Sequence, residues 1–367
     1  MTVYKYICRC ITLLISLYLV LYFVNVRYFE GMGLYITIIK LFVGFLCFLY
    51  LVWISRVSHL EIFCTLIFLL MSIIPGTAHV SGGAIVINTY GLVSGFLIVS
   101  AYFMAKHVTL NGSENLFAML TFCVIFLSYF IYAGFSGDYF ATGFFVGSSY
   151  NFISTIFIYS GVLVAAVYSN DNSRVFLVLA IVTLVCFILY ARSSMVISIL
   201  LLMWWVAFRV RFSYIAIFLV MLSIGLLFLW PTVLNIYSQT KFSNSGLNSA
   251  RWEMWQSYFS VLDWKSFLFG LDLSSVDIIK DYGGNPHNSF IRFHSMFGII
   301  GIGFLVCFLV YSCLAVRPFF TGLIILMLMR AFTDVFMLPG VLDFYFFMVI
   351  FVAVKQSNVR ISPYSPA

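Results

Sequence analysis

Charged side chains are the scarcest feature of this sequence. They make up 8% of the 367 residues, against about a quarter in a typical soluble domain. Hydrophobic residues reach 63%, aromatic residues reach 20%, and the mean hydropathy is +1.10. A soluble domain is therefore excluded, and the chain is predicted to be an all-α polytopic membrane protein.

Several functional signatures are also missing. The sequence has no glycine-rich nucleotide-binding motif and no soluble ATPase domain, so ATP-driven transport by this chain alone is not expected. His287, His294, Asp277 and Asp281 are the candidate metal ligands, but they lack Asp-x-Asp or His-x-x-x-His spacing, and neither a metal nor a cofactor is predicted. The eight cysteines lie in apolar segments or near the N-terminus, which excludes a disulfide-stapled exterior domain. The net charge of +7 is spread over loops, so nucleic acid is not an expected partner.

Apolar runs long enough to cross about 30 Å of hydrocarbon predict about twelve transmembrane helices. They cover residues 10–27, 32–54, 60–77, 84–105, 116–135, 151–169, 174–191, 193–208, 213–233, 289–316, 318–338 and 340–354. The first run follows Lys5 and Arg9 but lacks a small-residue cleavage site, so it is interpreted as a span rather than a signal peptide.

Basic residues predict the orientation of these spans. They are concentrated at one end, which is therefore expected to face the cytoplasm together with both termini. These residues are Lys5, Arg9, Arg56, Lys106, Arg174, Arg209, Arg211, Arg317, Lys355 and Arg360. The chain then divides into spans one to nine at 1–233, a large exterior loop at 234–288, spans ten to twelve at 289–354 and a cytoplasmic tail at 355–367.

The exterior loop has a helical pattern over residues 249–262, with Arg251 one turn before the first aromatic residue of its apolar face. The residues predicted on that face are Trp255, Tyr258, Phe259 and Leu262. Such a helix, rich in Trp and Tyr, is predicted to lie on the membrane surface.

Six charged residues in or beside the predicted spans are candidates for a functional site, because a charge inside a span costs about 2.5–3.5 kcal/mol on insertion scales. They are Lys40, Arg192, Arg292, Arg330, Asp334 and Asp343. All fall in the outer half of the membrane or at its edge, and His287, His294 and Arg251 join them from the loop. We expect these residues to form a cationic chamber open to the exterior leaflet.

Each of these residues also has a structural interpretation. Arg330 and Asp334, four residues apart on one helix, could form a structural ion pair. Lys40 could snorkel to the surface, and Arg292 could face lipid headgroups. His294 could bond to a carbonyl, and Asp343 could cap the last span. Spacing alone does not decide between these interpretations and a functional site.

The stretch from Gly283 to Gly301 joins the polar loop to an apolar helix. Pro286 suits a helix start, which places His287 at the positive end of the helix dipole. Gly298 and Gly301 are predicted to let another helix approach closely.

His287-Asn288, nine residues and then Gly298-Ile-Ile-Gly301 resemble the His-[Asn/Ser/Gln]-x9-Gly-x-x-Gly signature of bacterial O-antigen polymerases and O-antigen ligases. Arg251-Trp252 in the large loop, Arg192 at the outer end of a span and Asp334 after the motif are similar to that family as well. The resemblance covers roughly residues 192–343. Two departures are that the loop at 136–150 has no basic residue and that Val196 stands where ligases often have leucine.

The resemblance implies a GT-C-like membrane glycosyltransferase in the bacterial inner membrane, with one large periplasmic loop and a periplasmic active site. Its expected partners are undecaprenyl-diphosphate-linked glycans as donor and acceptor, membrane lipids and a polysaccharide chain-length regulator. The implied catalytic residues are His287, Arg192, Arg251 and Asp334, and the implied substrate-binding residues are Arg330, Arg292, His294, Lys40 and Asn288.

The function expected from these features is polymerisation of lipid-linked repeat units by inverting, metal-independent glycosyl transfer. One alternative is an O-antigen ligase, which would transfer finished polymer to lipid A-core. An alternative of another class is a polysaccharide flippase or transporter that uses the same cationic chamber without forming a bond.

Overall fold

The computed structural model describes residues 2–28, 33–78, 80–81, 84–85, 89–136, 150–189, 191–209, 250–340 and 342–359. These residues are helical apart from short loops and two paired two-residue strands. The helices before residue 210 are α1 Thr2–Tyr28, α2 Gly33–Trp53, α3 His59–Ala78, α4 Thr89–Leu110, α5 Glu114–Ser136, α6 Tyr150–Val167, α7 Asn172–Ile188 and α8 Arg192–Arg209. The strands Val80–Ser81 and Ala84–Ile85 pair antiparallel between α3 and α4.

The second half of the chain contains three short and three long described helices. The short ones belong to the large loop and are α9 Ala250–Ser260, α10 Trp264–Phe269 and α11 Asp277–Asp281, with a 3₁₀ turn at Leu273–Ser275. The long ones are α12 Ser289–Leu314, α13 Pro318–Phe332 and α14 Asp343–Val359. The last helix therefore continues five residues beyond the predicted end of span twelve at residue 354.

The apolar helices confirm the prediction of an α-helical membrane protein. Within the described residues, six helices are long and apolar enough to cross a membrane by length and composition. They are Tyr4–Tyr22, Gly33–Trp53, Gly91–Leu110, Glu114–Ser136, Arg192–Arg209 and Ser289–Leu314. Shorter apolar helices are His59–Ile73, Asn151–Val167, Asn172–Ile188 and Pro318–Phe332. The predicted ninth span, 213–233, lies outside the described residues.

Helix α14 packs at the centre of the bundle. It contacts α4, which packs on α2 and α3, and it also contacts α6, which packs on α5, α7 and α8. Its residues from Phe344 to Phe346 are at most 1% exposed. This packing fixes the start of α14, and with it the loop that joins α13 to α14.

The loop helices form a small core of their own. Met254 and Tyr258 of α9 are fully buried against Val276, Ile279 and Ile291. Phe259, which was predicted on the same face as Tyr258, is 60% exposed, whereas Met254 is buried beside Tyr258. The helix turns its apolar face towards the rest of the loop and the start of α12.

Helix α12 is kinked at Gly298, where φ is +60°. A Cβ there would lie 1.9 Å from the Leu268 carbonyl oxygen, so only glycine allows the end of α10 to come this close. The same contact is close from the other side, because a Cβ on Gly270 would lie 2.3 Å from the Ser295 carbonyl oxygen. Gly298 thus admits the backbone of the loop helix, whereas the nearest neighbours of a Cβ at Gly301 belong to Phe297 and Phe293 of the same helix.

Candidate functional site

The candidate site is built around Asp334, in the loop that follows α13. The prediction placed Asp334 on one helix with Arg330, but α13 ends at Phe332 and Asp334 lies beyond it. Asp334 is 2% exposed. Its position is fixed from behind by Ser289, whose hydroxyl donates to the Asp334 carbonyl at 2.6 Å and accepts from the Met337 N–H at 3.3 Å.

Three basic groups from different parts of the chain converge on this carboxylate. Oδ1 lies 3.5 Å from Nδ1 of His287, and Oδ2 lies 3.6 Å from Nη2 of Arg330 and 3.8 Å from Nη2 of Arg251. In the described part of the chain, Asp334 is the one carboxylate that forms an ion pair with them. The predicted convergence of His287, Arg251, Arg330 and Asp334 is thus a feature of the structure.

His287 is held just outside α12 in a constrained conformation. Its φ is 48°, in the left-handed region that a side chain other than glycine adopts rarely. The side-chain oxygen of Asn285 accepts the His287 N–H at 2.9 Å, and Asn288 caps α12 by accepting the N–H groups of Phe290 and Ile291. Pro286 and His287 therefore precede the helix, and Asn288, predicted to bind substrate, is its N-cap.

The two ring nitrogens of His287 have different surroundings. Nδ1 is buried and lies 3.5 Å from Asp334 Oδ1 without forming a hydrogen bond, and Nε2 has no hydrogen-bond partner among the described residues either. The side chain is 27% exposed, and the half-exposed ring of Tyr282 lies 6.4 Å away, centroid to centroid. A proton on Nδ1 is stabilised by the carboxylate, which leaves the lone pair on Nε2 to accept a proton from a ligand.

The arginines of the cluster differ in accessibility. Arg330 is completely buried and donates to Thr333 Oγ1 at 2.8 Å and to the Asn151 carbonyl at 2.9 Å, so it serves the loop rather than the predicted substrate. Arg251 donates to the Thr333 carbonyl at 2.7 Å and keeps 24% of its side chain exposed. Arg192 is the first residue of α8 and is half-buried.

Electrostatics place Arg192 in the same neighbourhood. Burial lowers the pKa of Arg251, the charge of Arg192 lowers it further, and Asp334 opposes both effects. Burial by itself would raise the pKa of Asp334, but His287, Arg330 and Arg251 outweigh it and hold this pKa below its ordinary value. The carboxylate is therefore ionised at neutral pH, with the guanidinium groups of Arg330 and Arg251 beside it.

His294 has a structural role, as the carbonyl-bonded alternative proposed. The hydroxyl of Tyr258 lies 2.7 Å from Nδ1, and Nε2 lies 3.1 Å from the Phe267 carbonyl. Since a carbonyl only accepts, Nε2 carries the proton and Nδ1 accepts from Tyr258. Both ring nitrogens of His294 therefore form hydrogen bonds, and these bonds connect α9 and α10 to α12.

The remaining predicted substrate ligands hold the loop between α13 and α14. Arg292 donates to the Val335 carbonyl at 3.3 Å, and Lys40 donates to the Gly340 carbonyl at 3.0 Å. Lys40 is 4% exposed, so it does not snorkel to the surface. Asp343 starts α14 and accepts from the N–H groups of Leu338 at 2.8 Å and Gly340 at 2.7 Å.

Sequence reasoning missed the residues that support the site. Ser289, Thr333 and Asn151 position the carboxylate and Arg330 through hydrogen bonds, yet none is charged. Ser289 directly follows the His287-Asn288 pair, which is the one signal that pointed to it. Thr333 is adjacent to Asp334, while Asn151 is far from the others in sequence and carried no signal.

No protein-family model, curated protein or solved structure matches this chain. Within the described residues, no three His, Cys, Asp or Glu side chains come together as a metal-binding group. The chemistry of the site has to be inferred from the cluster around Asp334.

Proposed function

We propose that this protein is a membrane glycosyltransferase that joins polyprenyl-diphosphate-linked oligosaccharides into a surface polysaccharide, as O-antigen polymerases do. The observation that carries the proposal is the His287–Asp334 contact at 3.5 Å beside partly exposed Arg251. The proposed architecture is GT-C-like, with about twelve spans in the bacterial inner membrane. Both termini are proposed to be cytoplasmic and the site periplasmic.

The guanidinium groups near Asp334 suit a diphosphate leaving group. Arg251 and Arg192 are each partly exposed, so a bound lipid diphosphate can reach them, while buried Arg330 adds its charge from behind. Arginine binds phosphate oxygens through two parallel hydrogen bonds. Loss of one donor of this kind lowers a rate by about 10²–10³-fold.

His287 and Asp334 suit general base catalysis. The acceptor hydroxyl attacks the anomeric carbon of the donor sugar while its proton passes to Nε2 of His287. A C–O bond forms to the acceptor, the C–O bond to phosphate breaks, and the electron pair leaves with the diphosphate. Asp334 stabilises the imidazolium that results. Direct displacement inverts the anomeric centre.

The same cations support metal independence. A diphosphate leaving group needs positive charge close to its oxygens, and Arg251 and Arg192 supply that charge from the protein. We expect transfer to continue in the presence of EDTA. Loss of activity in EDTA and its recovery with Mg²⁺ or Mn²⁺ would contradict this part of the proposal.

The direct test uses purified protein in nanodiscs with a synthetic polyprenyl-diphosphate oligosaccharide. Product length is measured by mass spectrometry for the wild type, for His287→Gln and for the matched control His59→Gln, which changes an exposed histidine at the start of α3. We expect lipid-linked dimers and longer chains from the wild type and the control, and single units from His287→Gln.

The alternatives give different products in the same assay. A ligase leaves the lipid-linked units unjoined and transfers sugar only when lipid A-core is added. A flippase moves the oligosaccharide across the bilayer without forming a glycosidic bond. Chains of wild-type length from a folded His287→Gln variant would overturn the assignment of the base.

A further inference from the structure

An apolar groove runs along α12 from beside the candidate site to the far end of that helix. It has a volume of about 570 Å³ and lies between α3, α4, α12 and α14. Phe293 and Leu338 line the end near the site, and Ser58 and Ala315 line the far end. Ala315 is the C-cap residue of α12, so the groove reaches the end of the helix opposite to His287.

The near end of the groove adjoins the carboxylate cluster. Phe293 follows Ser289 by one turn on the same face of α12, and the Ser289 hydroxyl donates to the Asp334 carbonyl at 2.6 Å. Leu338 belongs to the same loop as Asp334, and its N–H donates to Asp343 at 2.8 Å. An apolar chain attached to a molecule at the cluster therefore has this groove directly beside it.

Most of the groove wall is apolar. Aromatic and aliphatic side chains from all four helices line it, among them Phe68, Phe304 and Phe351. The uncharged polar side chains of the wall are Ser58, Thr65, Tyr102, Tyr311 and Ser312. The Ser312 hydroxyl donates to the Phe308 carbonyl at 2.8 Å, so it is satisfied within its own helix. A wall of this composition suits a hydrocarbon chain.

The far end of the groove contains a charge that the protein itself compensates. Among the described lining residues of the groove, Glu61 alone is charged. Its carboxylate forms an ion pair with Lys106 and accepts from the Tyr102 hydroxyl at 2.7 Å and the Ser58 N–H at 2.8 Å. The described lining residues of this end therefore offer no cation in excess for a lipid phosphate. The phosphate of a lipid in the groove belongs at the other end, where the cluster contains partly exposed Arg251.

The length of α12 determines which chain fits. The helix has 26 residues, or about 39 Å at a rise of about 1.5 Å per residue, and the hydrocarbon core of a bilayer is about 30 Å thick. A phospholipid acyl chain ends near the middle of that core, about 15 Å below its headgroup. A lipid with its phosphate at the cluster and its chain at the far end of the groove needs a tail that crosses both leaflets.

We propose that this groove binds the polyisoprenoid tail of the lipid-linked substrate, with the diphosphate at the carboxylate cluster. This inference rests on the proposed function. An undecaprenyl chain is long enough to follow the groove past the middle of the bilayer, whereas an acyl chain of the outer leaflet is not. The groove thus selects the substrate by the length of its tail.

The test measures binding without transfer, because its probe, undecaprenyl phosphate, carries no sugar. A photoreactive form with a diazirine near the end of its tail is added to the protein in phosphatidylglycerol nanodiscs, and cross-linked peptides are identified by mass spectrometry. We expect cross-links to residues 60–65 of α3 and 307–315 of α12. Excess unlabelled undecaprenyl phosphate should abolish them, whereas farnesyl phosphate, which has a much shorter chain, should leave most of them.

Bulky side chains in the groove provide the variants. Thr65→Trp on α3 and Cys307→Trp on α12 each place an indole in the groove, from different walls. Each should lower cross-linking by at least about five-fold, since extra volume in a filled space typically costs that factor or more. Leu66→Trp and Val306→Trp are the matched controls, because these neighbours are 54% and 50% exposed and do not line the groove. The controls should cross-link like the wild type.

The outcomes separate this inference from the proposed function. Cross-links in the groove of a protein that forms no glycosidic bond would support the tail site and contradict the transferase. Cross-links spread over the lipid-facing surface, or equal competition by farnesyl phosphate, would overturn the tail site even if transfer is normal. Wild-type cross-linking in folded Thr65→Trp and Cys307→Trp variants would overturn it as well.

Discussion

Two histidines seven residues apart, His287 before α12 and His294 inside it, have opposite surroundings. His294 has both ring nitrogens bonded, to Tyr258 and to the Phe267 carbonyl, and is 7% exposed. His287 has one nitrogen facing a carboxylate, the other without a partner among the described residues, and 27% of its side chain exposed. A histidine with both nitrogens satisfied by the protein stabilises the fold, whereas one with an open nitrogen is available for chemistry.

The backbones of the two regions differ in the same way. Around His287 the chain adopts a left-handed conformation at the surface, supported by Asn285 and Asn288. Around His294 the chain is buried, and Gly298 and Gly270 allow two backbones to meet. A strained backbone that exposes a side chain, as at His287, is typical of functional sites. A positive φ that lets two backbones pack closely, as at Gly298, stabilises the fold.

The largest expected effect is on activity at His287. His287→Gln keeps a hydrogen-bonding side chain of similar length but removes the base, so transfer should fall about 10³-fold. The unfolding midpoint in detergent should stay near that of the wild type, since the side chain is partly exposed. His294→Gln should show the reverse pattern, with a lower midpoint and much smaller loss of rate per folded molecule. Equal loss of activity in both variants, without loss of stability, would remove the distinction between the two histidines.

A large effect on folding is expected at Gly298. Gly298→Ala puts a methyl group 1.9 Å from the Leu268 carbonyl and also strains a φ of +60°, which together should cost about 3 kcal/mol or more. The control is Gly303→Ala in the same helix, where a Cβ has no neighbour within 4 Å. That control should be neutral or gain about 0.5–1 kcal/mol of stability. Thermal unfolding in matched detergent would show whether the kink has this role.

An intermediate effect is expected at Asp334. Asp334→Asn keeps the shape but removes the charge that stabilises the His287 imidazolium, so transfer should fall about 10²-fold with little change in substrate KM. Asp171→Asn, at an exposed ion pair, is the matched control and should have full activity. A wild-type rate in a folded Asp334→Asn protein would show that the carboxylate only supports the fold.

Much of the fold was predictable from apolar runs. The described helices follow the predicted spans because each must satisfy its own backbone hydrogen bonds within the membrane, and a long apolar run therefore has few alternatives. Scarce charges in apolar surroundings also pointed to Arg330 and Asp334, since a buried charge requires a partner. The motif that begins at His287-Asn288 and the Arg251-Trp252 pair pointed to His287 and Arg251.

The detail of the site was not predictable in the same way. Pro286 and His287 were expected at the start of the helix, but Asn288 is a better cap and moves the helix start to Ser289. Lys40 and Asp343 looked like candidates for the site and instead bind the backbone of the loop that carries Asp334. Their partners are main-chain groups, which every residue has and no side-chain pattern reveals.

The smallest expected effect is at Tyr258, and it sharpens the comparison between the histidines. Tyr258→Phe leaves Nδ1 of His294 buried without a donor, which should cost about 1–3 kcal/mol of stability. Transfer per folded molecule should be unchanged, because the contact belongs to the interface between α9 and α12 and not to the carboxylate cluster. Tyr311→Phe, at a ring that is 74% exposed, is the control and should leave stability unaltered. If Tyr258→Phe instead lowered activity as strongly as Asp334→Asn while stability was kept, His294 would belong to the catalytic machinery and the contrast drawn between the two histidines would fail.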